Sequence, residues 1–155
     1  MKSTLALLAL SLPLVANAAS ILAPSDFIIA VDGDISAGAS GFPAAENPTN
    51  ILDAATGTKY LNTGGAGTGF IVTPVGGAST IQSFRMTSAN DAGQRDPRYF
   101  QLYGTTDDVE SPEHSDGSSE NWTLLASGNS GLAGNIGRLT AGSAVNFTNS
   151  TPYTS

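Results

Sequence analysis

Short apolar runs separated by turn-forming residues make up most of the chain beyond its first residues. Phe27–Val31 and Gly69–Thr73 are β-prone runs, and each is followed by a turn signal rich in Gly, Asp or Pro. A longer strand is predicted over Thr80–Thr87, where a change in the parity of the apolar positions indicates a bulge or burial on both faces. Helical periodicity is nearly absent, so the pattern predicts strands joined by turns.

The second half of the chain contains strands whose side chains alternate between two faces. Within Tyr99–Tyr103, Phe100 and Leu102 are predicted on one face, and Tyr99, Gln101 and Tyr103 on the other. Shared faces are also predicted for Trp122, Leu124 and Ala126, and for Val145 and Phe147. Many short strands without helices between them are typical of an all-β fold, an antiparallel sandwich or barrel.

Two long segments are predicted to be loops. Ser36–Asn50 is rich in Gly, Ala and Pro and is expected to cross the sheet without regular structure. Asp107–Glu120 concentrates acidic residues, and such a run is usually a solvated face, with cation binding as the less favoured alternative. We find no internal repeat, and no linker wide enough to divide the chain into two domains.

The first residues have the organisation of a secretory signal peptide. Lys2 precedes an apolar run from Leu5 to Val15, and Ala16-Asn17-Ala18 offers a small-x-small cleavage pattern. The run is shorter than the roughly 20 apolar residues that a permanent membrane helix needs. We therefore expect residues 1–18 to be removed on export, which leaves residues 19–155 as one domain.

Composition narrows the possible functions of the exported chain. The formal net charge of −7 disfavours binding to nucleic acid or to anionic lipid surfaces. There is no cysteine to form disulfides, and His114 is the only histidine. The usual nucleophile–base pairs and histidine-rich metal sites therefore cannot be assembled, although a hydrolase that uses two carboxylates is not excluded.

Several segments resemble the discoidin-like (coagulation factor 5/8 type C, galactose-binding-like) domains, in order and in spacing. The similarity runs from about Ile28 to Gly128 and includes a Phe-Pro-Ala-Ala-Glu segment that leads into Thr-Lys-Tyr, a Trp-x-x-Leu-Ala-Ser-Gly strand and a Tyr-Phe-Gln-Leu-Tyr-Gly strand. The matching segments are Phe42–Asp53, Thr58–Asn62, Gly69–Pro74, Thr87–Ala92, Arg95–Pro97, Tyr99–Gly104 and Trp122–Gly128. They are most similar to a bacterial branch of that superfamily.

The resemblance implies a jelly-roll β-sandwich that is exported and binds without catalysis. Proteins of this branch come from Gram-negative bacteria, and they often carry a PEP-CTERM sorting tail associated with exopolysaccharide production. We therefore expect a secreted, cell-surface or periplasmic location, and a carbohydrate or an extracellular matrix polymer as the partner. Comparison with such domains also leads us to expect one or more closing strands after Ser155.

The resemblance also implies a calcium site in the segment that follows Ile51. Asp53 and Thr58 fall on positions that supply calcium ligands in related sandwiches, whereas Ala54 departs from the Gly or Asn found there. Calcium prefers six to eight oxygen ligands and accepts carbonyl groups as well as carboxylates. The alternative, which we favour slightly, is that Asp53 and Thr58 hydrogen-bond within their own turn.

A second candidate site combines planar polar groups with an aromatic ring. Asn90, Asp91 and Arg95 could hydrogen-bond paired sugar hydroxyl groups, although an arginine that braces its own loop is the favoured interpretation. Lys59 and Tyr60 lie on another loop, where Tyr60 is the best candidate for an exposed stacking ring. Phe42 and Tyr103 are weaker candidates for stacking, and Trp122 is predicted to belong to the core.

Three functions are compatible with these features. The leading hypothesis is a non-catalytic module that binds carbohydrate through loops at one end of the sandwich. The second is a structural or adhesive surface protein without a small-ligand site. A carboxylate hydrolase ranks last, because no pair of acids facing each other across a cleft can be nominated.

Overall fold

The computed structural model describes residues 20–31, 41–111, 114–132 and 136–155, and the protein within these ranges is β-rich. The predicted signal peptide and the turn after Val31 lie outside the described residues. None of the helices in the described ranges has the length and apolar character needed to cross a membrane.

Within the described ranges, seven short strands form three small sheets. They are β1 (Phe27–Val31), β2 (Gly69–Thr73), β3 (Ser83–Phe84), β4 (Tyr99–Gly104), β5 (His114–Ser115), β6 (Thr123–Asn129) and β7 (Val145–Asn146). Their orders are β2-β1-β5, β3-β7 and β4-β6. In the part of the chain that the structure describes, three 3-10 helices lie between strands, at Ala44–Glu46, Pro48–Ile51 and Gly93–Arg95.

Strand β1 is the centre of the aliphatic core. It pairs antiparallel with β2 along its whole length and parallel with β5, where Ala30 and Val31 are the paired residues. Ile28, Ile29 and Ala30 are buried in succession, which is the pattern of a strand covered on both faces. The parallel β1–β5 pair departs from the all-antiparallel arrangement predicted from sequence, and β5 itself lies inside the segment predicted to be the acidic loop.

The β4–β6 ribbon confirms the alternation predicted for Tyr99–Tyr103. Tyr99, Gln101 and Tyr103 are exposed, whereas Phe100 and Leu102 are half-buried. The register slips once, because Leu102 pairs with Ala126 while Tyr103 pairs with Leu124. Leu125 is therefore a bulged residue, and it places Leu124 and Ala126 on opposite faces. The predicted shared face of Leu124 and Ala126 is wrong for this reason.

Phenylalanine rings join the β3–β7 pair to the β4–β6 ribbon. The ring of Phe84 meets that of Phe100 edge-on with centroids 4.8 Å apart, and it lies 6.4 Å from Phe147. Such edge-to-face pairs stabilise by about 0.5–1.5 kcal/mol beyond the burial of their area. These contacts form a second packing centre, separate from the aliphatic residues around β1.

The predicted strand over Thr80–Thr87 is largely replaced by irregular pairing. Only Ser83–Phe84 is a strand, and single bridges at Ser79 and Thr87 pair with the C-terminal segment. Between Ser79 and Ser83, side chains take the place of regular backbone pairing with the C-terminal segment. Gln82 Nε2 donates to the Asn149 carbonyl oxygen at 3.0 Å, and Asn149 Nδ2 donates to the Ile81 carbonyl oxygen at 3.3 Å. The strand is shorter than predicted, and the half-buried Ile81, Phe84 and Met86 alternate with exposed residues, so the segment is not buried on both faces.

The C-terminal residues lie against the end of β4. Thr105 N–H donates to the Ser155 carbonyl oxygen at 2.9 Å, and Thr154 N–H donates to the Thr105 carbonyl oxygen at 3.0 Å. A Cβ atom on Gly104 would lie 2.5 Å from the ring of Tyr153, so only glycine permits this approach. A further strand beyond Ser155 stays a prediction.

The segment predicted to lack regular structure before Asn50 contains ordered turns in its described part, residues 41–50. Ala44–Glu46 and Pro48–Ile51 are 3-10 helices. The side chain of Asn47 accepts from Thr49 N–H at 3.1 Å and so caps the second of them. The prediction missed these turns because helices of three or four residues leave no periodic signal.

Candidate functional site

The charged residues predicted to bind a ligand meet in space and pair with one another. Lys59 Nζ lies 2.7 Å from Asp91 Oδ2 and 3.2 Å from Glu46 Oε1, and Arg95 lies 3.2 Å from Asp91 Oδ1. We call these four residues the loop cluster. The hydrogen bond between Lys59 and Asp91 lowers the pKa of the Asp91 carboxyl group and raises the pKa of the Lys59 ammonium group. Their hydrogen-bonding capacity is therefore directed largely within the cluster, as the brace interpretation requires.

Tyr60 lies beside the loop cluster but does not project from it. Its ring packs edge-on between Phe42 and Phe70, with centroid distances of 6.2 and 6.4 Å. Its hydroxyl group donates to the Gly69 carbonyl oxygen at 2.9 Å and accepts from Asn62 Nδ2 at 2.8 Å. Burial raises the pKa of this hydroxyl group. The ring is half-buried, so Tyr60 is not the exposed stacking ring that we expected.

Arg138, which the sequence did not identify, connects the loop after Ala89 to the segment before β7. Its guanidinium group forms a two-pronged pair with Asp96, in which Arg138 Nη1 lies 2.9 Å from Asp96 Oδ1. Nη1 also donates to the Asp91 carbonyl oxygen at 3.1 Å. A Cβ atom on Gly93 would lie 3.1 Å from this guanidinium group, so the glycine makes room for it. Arg138 is thus a larger brace of the loop than Arg95.

The predicted calcium residues form a hydrogen-bonded turn. Asp53 Oδ1 accepts from Ala55 N–H at 2.8 Å, and Asp53 Oδ2 accepts from the Thr58 hydroxyl group at 2.6 Å. These bonds, that of Thr58 first, lower the pKa of Asp53. Ala54 adopts a φ of 55°, which tightens the turn. Across the described ranges, no group of three or more His, Cys, Asp or Glu side chains is arranged to hold a metal ion.

The acidic segment from Asp107 to Glu120 is not uniformly solvated. Asp107 Oδ2 accepts from both N–H and Nδ2 of Asn121 at 2.8 Å, which lowers its pKa. Glu120 is only 9% exposed, and its Oε2 has no hydrogen-bond partner among the described residues. The prediction of a solvated face is therefore wrong for Glu120. Asp107 and Asp108 also line an open cavity of about 400 Å³ next to Phe27.

An exposed face that carries two tyrosines covers the outer side of the β4–β6 ribbon. Tyr99 is 75% exposed and Tyr103 is 40% exposed, and Leu124 beside Tyr103 is 51% exposed. Gln101 pairs with Ser127, and Tyr99 pairs with Asn129. All of these side chains lie on the solvent side of the ribbon, and we call them the tyrosine face: Tyr99, Gln101, Tyr103, Leu124, Ser127 and Asn129.

The tyrosine face has the chemistry of a surface for sugar rings. Tyrosine rings stack against the C–H face of a sugar and carry a polar hydroxyl group at their edge. Gln101 and Asn129 supply amide donors and acceptors, and Ser127 supplies a hydroxyl group. Behind the face, Phe100 packs against Phe84, so the strand that presents the tyrosines is anchored in the phenylalanine cluster.

The sequence-predicted site and the tyrosine face share no residue except Tyr103, which was a weak candidate for stacking. Tyr99 was placed correctly on the face opposite Phe100 and Leu102 but was not considered as a ligand residue. The available signal was the alternation itself, because two tyrosines on the polar side of an amphipathic strand project together into solvent.

Neither the family models nor the curated protein sequences with which the chain was compared give a match. The resemblance to discoidin-like domains thus rests on the motifs quoted above.

Proposed function

We propose that this chain is an exported, non-catalytic module of the discoidin-like β-sandwich type that binds carbohydrate through its tyrosine face. The observation that carries the proposal is the pair of exposed rings on β4, Tyr99 and Tyr103, with the amide of Gln101 between them. Exposed aromatic rings beside amides and hydroxyl groups are the usual means by which proteins hold sugars without charge.

Two features support the sandwich and the absence of catalysis. The edge-on contact between Phe84 and Phe100 packs the β3–β7 pair against the inner side of the β4–β6 ribbon, as two facing sheets of a sandwich would be. The carboxylates of Asp53, Asp91, Asp96 and Asp107 are each hydrogen-bonded within the protein. Carboxylates that already accept hydrogen bonds from the protein are weaker proton acceptors, which suits them to bracing loops.

The test is a glycan array probed with the full chain and with a variant that carries Tyr99→Ala and Tyr103→Ala. We expect the wild type to bind at least one glycan class and the double variant to lose that binding. Loss of two stacking rings at the centre of a binding surface reduces affinity about tenfold or more for each ring. Val75→Ala is the control, since Val75, at 76%, is as exposed as Tyr99 and lies in the turn after β2.

Two results would contradict the proposal. If the folded wild type binds no glycan on the array and self-associates in gel filtration, the structural or adhesive alternative is favoured. Binding that survives the double substitution would place the carbohydrate elsewhere on the molecule. Repeating the array with calcium and then with a chelator separates a cation requirement at Asp53 from the contribution of the tyrosines.

A further inference from the structure

The two rings of the tyrosine face stand on one continuous strand. Tyr99 and Tyr103 are four residues apart on β4, and the bulge lies on β6, so it does not interrupt the alternation of β4. At a rise of about 3.3 Å for each residue, their backbone positions are separated by roughly 13 Å. With this backbone separation, side chains that stand upright on the strand would stack on different sugar residues, with at least one residue between them.

Building on the proposed function, we infer that the tyrosine face binds a single, uncharged, linear polysaccharide chain, laid along β4 and held at internal residues. The chain would contact Tyr99 and Tyr103 with sugar rings separated by one or two others. Gln101 and its partner Ser127 lie midway between the two tyrosines, where they can hydrogen-bond the hydroxyl groups of the intervening sugars.

Charge points to a neutral ligand. None of the six side chains of the tyrosine face is ionisable at neutral pH, and the chain as a whole carries a formal net charge of −7. A polymer with carboxylate or sulfate groups would be repelled by that net charge and would find no cation on this face. A neutral polysaccharide meets no such penalty, because hydroxyl groups and C–H faces are the groups that this surface complements.

The shape of the ribbon points to a single chain rather than a crystalline surface. Two-stranded ribbons twist more strongly than wide sheets, and a bulge increases the local twist. The bulge at Leu125 lies level with the step from Leu102 to Tyr103, between the two ring positions. The two tyrosines are therefore rotated relative to each other about the strand axis. A flexible soluble chain can follow that rotation, whereas a flat crystal face cannot.

The experiment is affinity electrophoresis of the full chain in native gels that contain soluble polysaccharides. The neutral linear probes are glucomannan, mixed-linkage β-glucan, linear galactan and xylan, and the anionic probes are carboxymethylcellulose and alginate. Microcrystalline cellulose and chitin are tested by pull-down. We expect retardation by at least one neutral probe, with no retardation by the anionic ones and no pull-down by the crystals.

Chain length gives the sharper measurement. Oligosaccharides of the retarding polymer, from disaccharide to hexasaccharide, are titrated by calorimetry. We expect the affinity to rise about tenfold or more between the shortest and the longest, since only longer chains reach both rings. Tyr99→Ala and Tyr103→Ala should each remove this dependence on length and leave the weak affinity for the disaccharide. Val75→Ala should change neither quantity.

The possible outcomes separate this inference from the proposed function. If a disaccharide binds as tightly as a hexasaccharide and both tyrosine variants still weaken it, the face binds carbohydrate but the linear-chain inference fails. Tighter binding to an anionic probe or to a crystalline one also overturns the inference alone. If no probe binds and the glycan array is silent, both ideas fail together.

Discussion

The loop cluster and the tyrosine face both lie at the surface, yet they use their polar groups in opposite ways. In the loop cluster, Lys59 and Arg95 both donate to the carboxylate of Asp91, and the neighbouring Arg138 binds Asp96. On the tyrosine face, the backbones of β4 and β6 pair with each other, and the alternation of the strands turns the exposed side chains towards solvent. Conspicuous charge thus marks a brace here, and an uncharged strand face remains available for a ligand.

The strongest test of the idea that charged residues brace the loops is to remove the Arg138–Asp96 ion pair. Arg138→Met deletes the two-pronged bond to Asp96 and leaves that carboxylate, which is only 10% exposed, without its cation. We expect the largest loss of stability among these variants, seen as a fall of several degrees in Tm by circular dichroism. Arg85→Met is the matched control at an exposed arginine. Equal Tm values for the two variants would show that Arg138 does not brace the fold.

Asp91→Ala tests the loop cluster itself. The substitution removes the partner of both Lys59 and Arg95, so Tm should fall, but by less than in Arg138→Met, because the pairs are more exposed. The difference from wild type should shrink at high salt, where exposed charges are screened. Carbohydrate binding should be unchanged. If carbohydrate binding disappears while Tm stays constant, the loop cluster binds the ligand and does not brace the fold.

Acidification should remove the stabilising effect of the Lys59–Asp91 pair in the loop cluster. Lys59 holds the pKa of Asp91 below its ordinary value, so this pair stabilises the fold above the unfolded-state pKa of about 3.9. That contribution is lost as the pH falls through the lower, folded-state pKa. Tm measured from about pH 6 to pH 2 should therefore decline less in Asp91→Asn than in wild type. Identical slopes would exclude a stabilising role for this pair.

The smallest expected effect concerns the tyrosine hydroxyl groups. Tyr99→Phe keeps the stacking ring and removes only one polar group at its exposed edge. We expect affinity for the retarding polysaccharide to fall by no more than about threefold, because an exposed hydrogen bond exchanges readily with water. A loss of tenfold or more, measured by the same calorimetry, would mean that the hydroxyl group, rather than the ring, provides the recognition.

The extent to which the sequence predicted the fold depends on the range of the interactions. Phe27–Val31 and Gly69–Thr73 were located correctly, since each carries its own apolar run and stop signal. The two residues of β5 were missed, because their only identifying feature is a parallel pairing with a strand more than eighty residues earlier. The faces of β6 were misassigned because a bulge changes parity without leaving a mark in the apolar pattern.

The site was predicted less well for a similar reason. Lys59 and Asp91 were selected for their chemistry, but their separation of 32 residues hid the fact that they pair with each other. Arg138 lies in a glycine-rich segment, and nothing local indicated that it would reach Asp96. The alternation of Tyr99–Tyr103, by contrast, is a local property, and it correctly separated Phe100 and Leu102 from the three residues of the opposite face.

Trp122 gives the molecule a built-in optical signal. It is the only tryptophan in the chain, and it directly precedes β6 with its indole Nε1 shielded from solvent and without a hydrogen-bond partner among the described residues. Tyr103 pairs with Leu124, two residues further along the same segment. Ultraviolet light absorbed by the tyrosines can therefore be re-emitted by one nearby indole. A ligand that covers the rings should change this emission, so binding can be followed in the unlabelled protein.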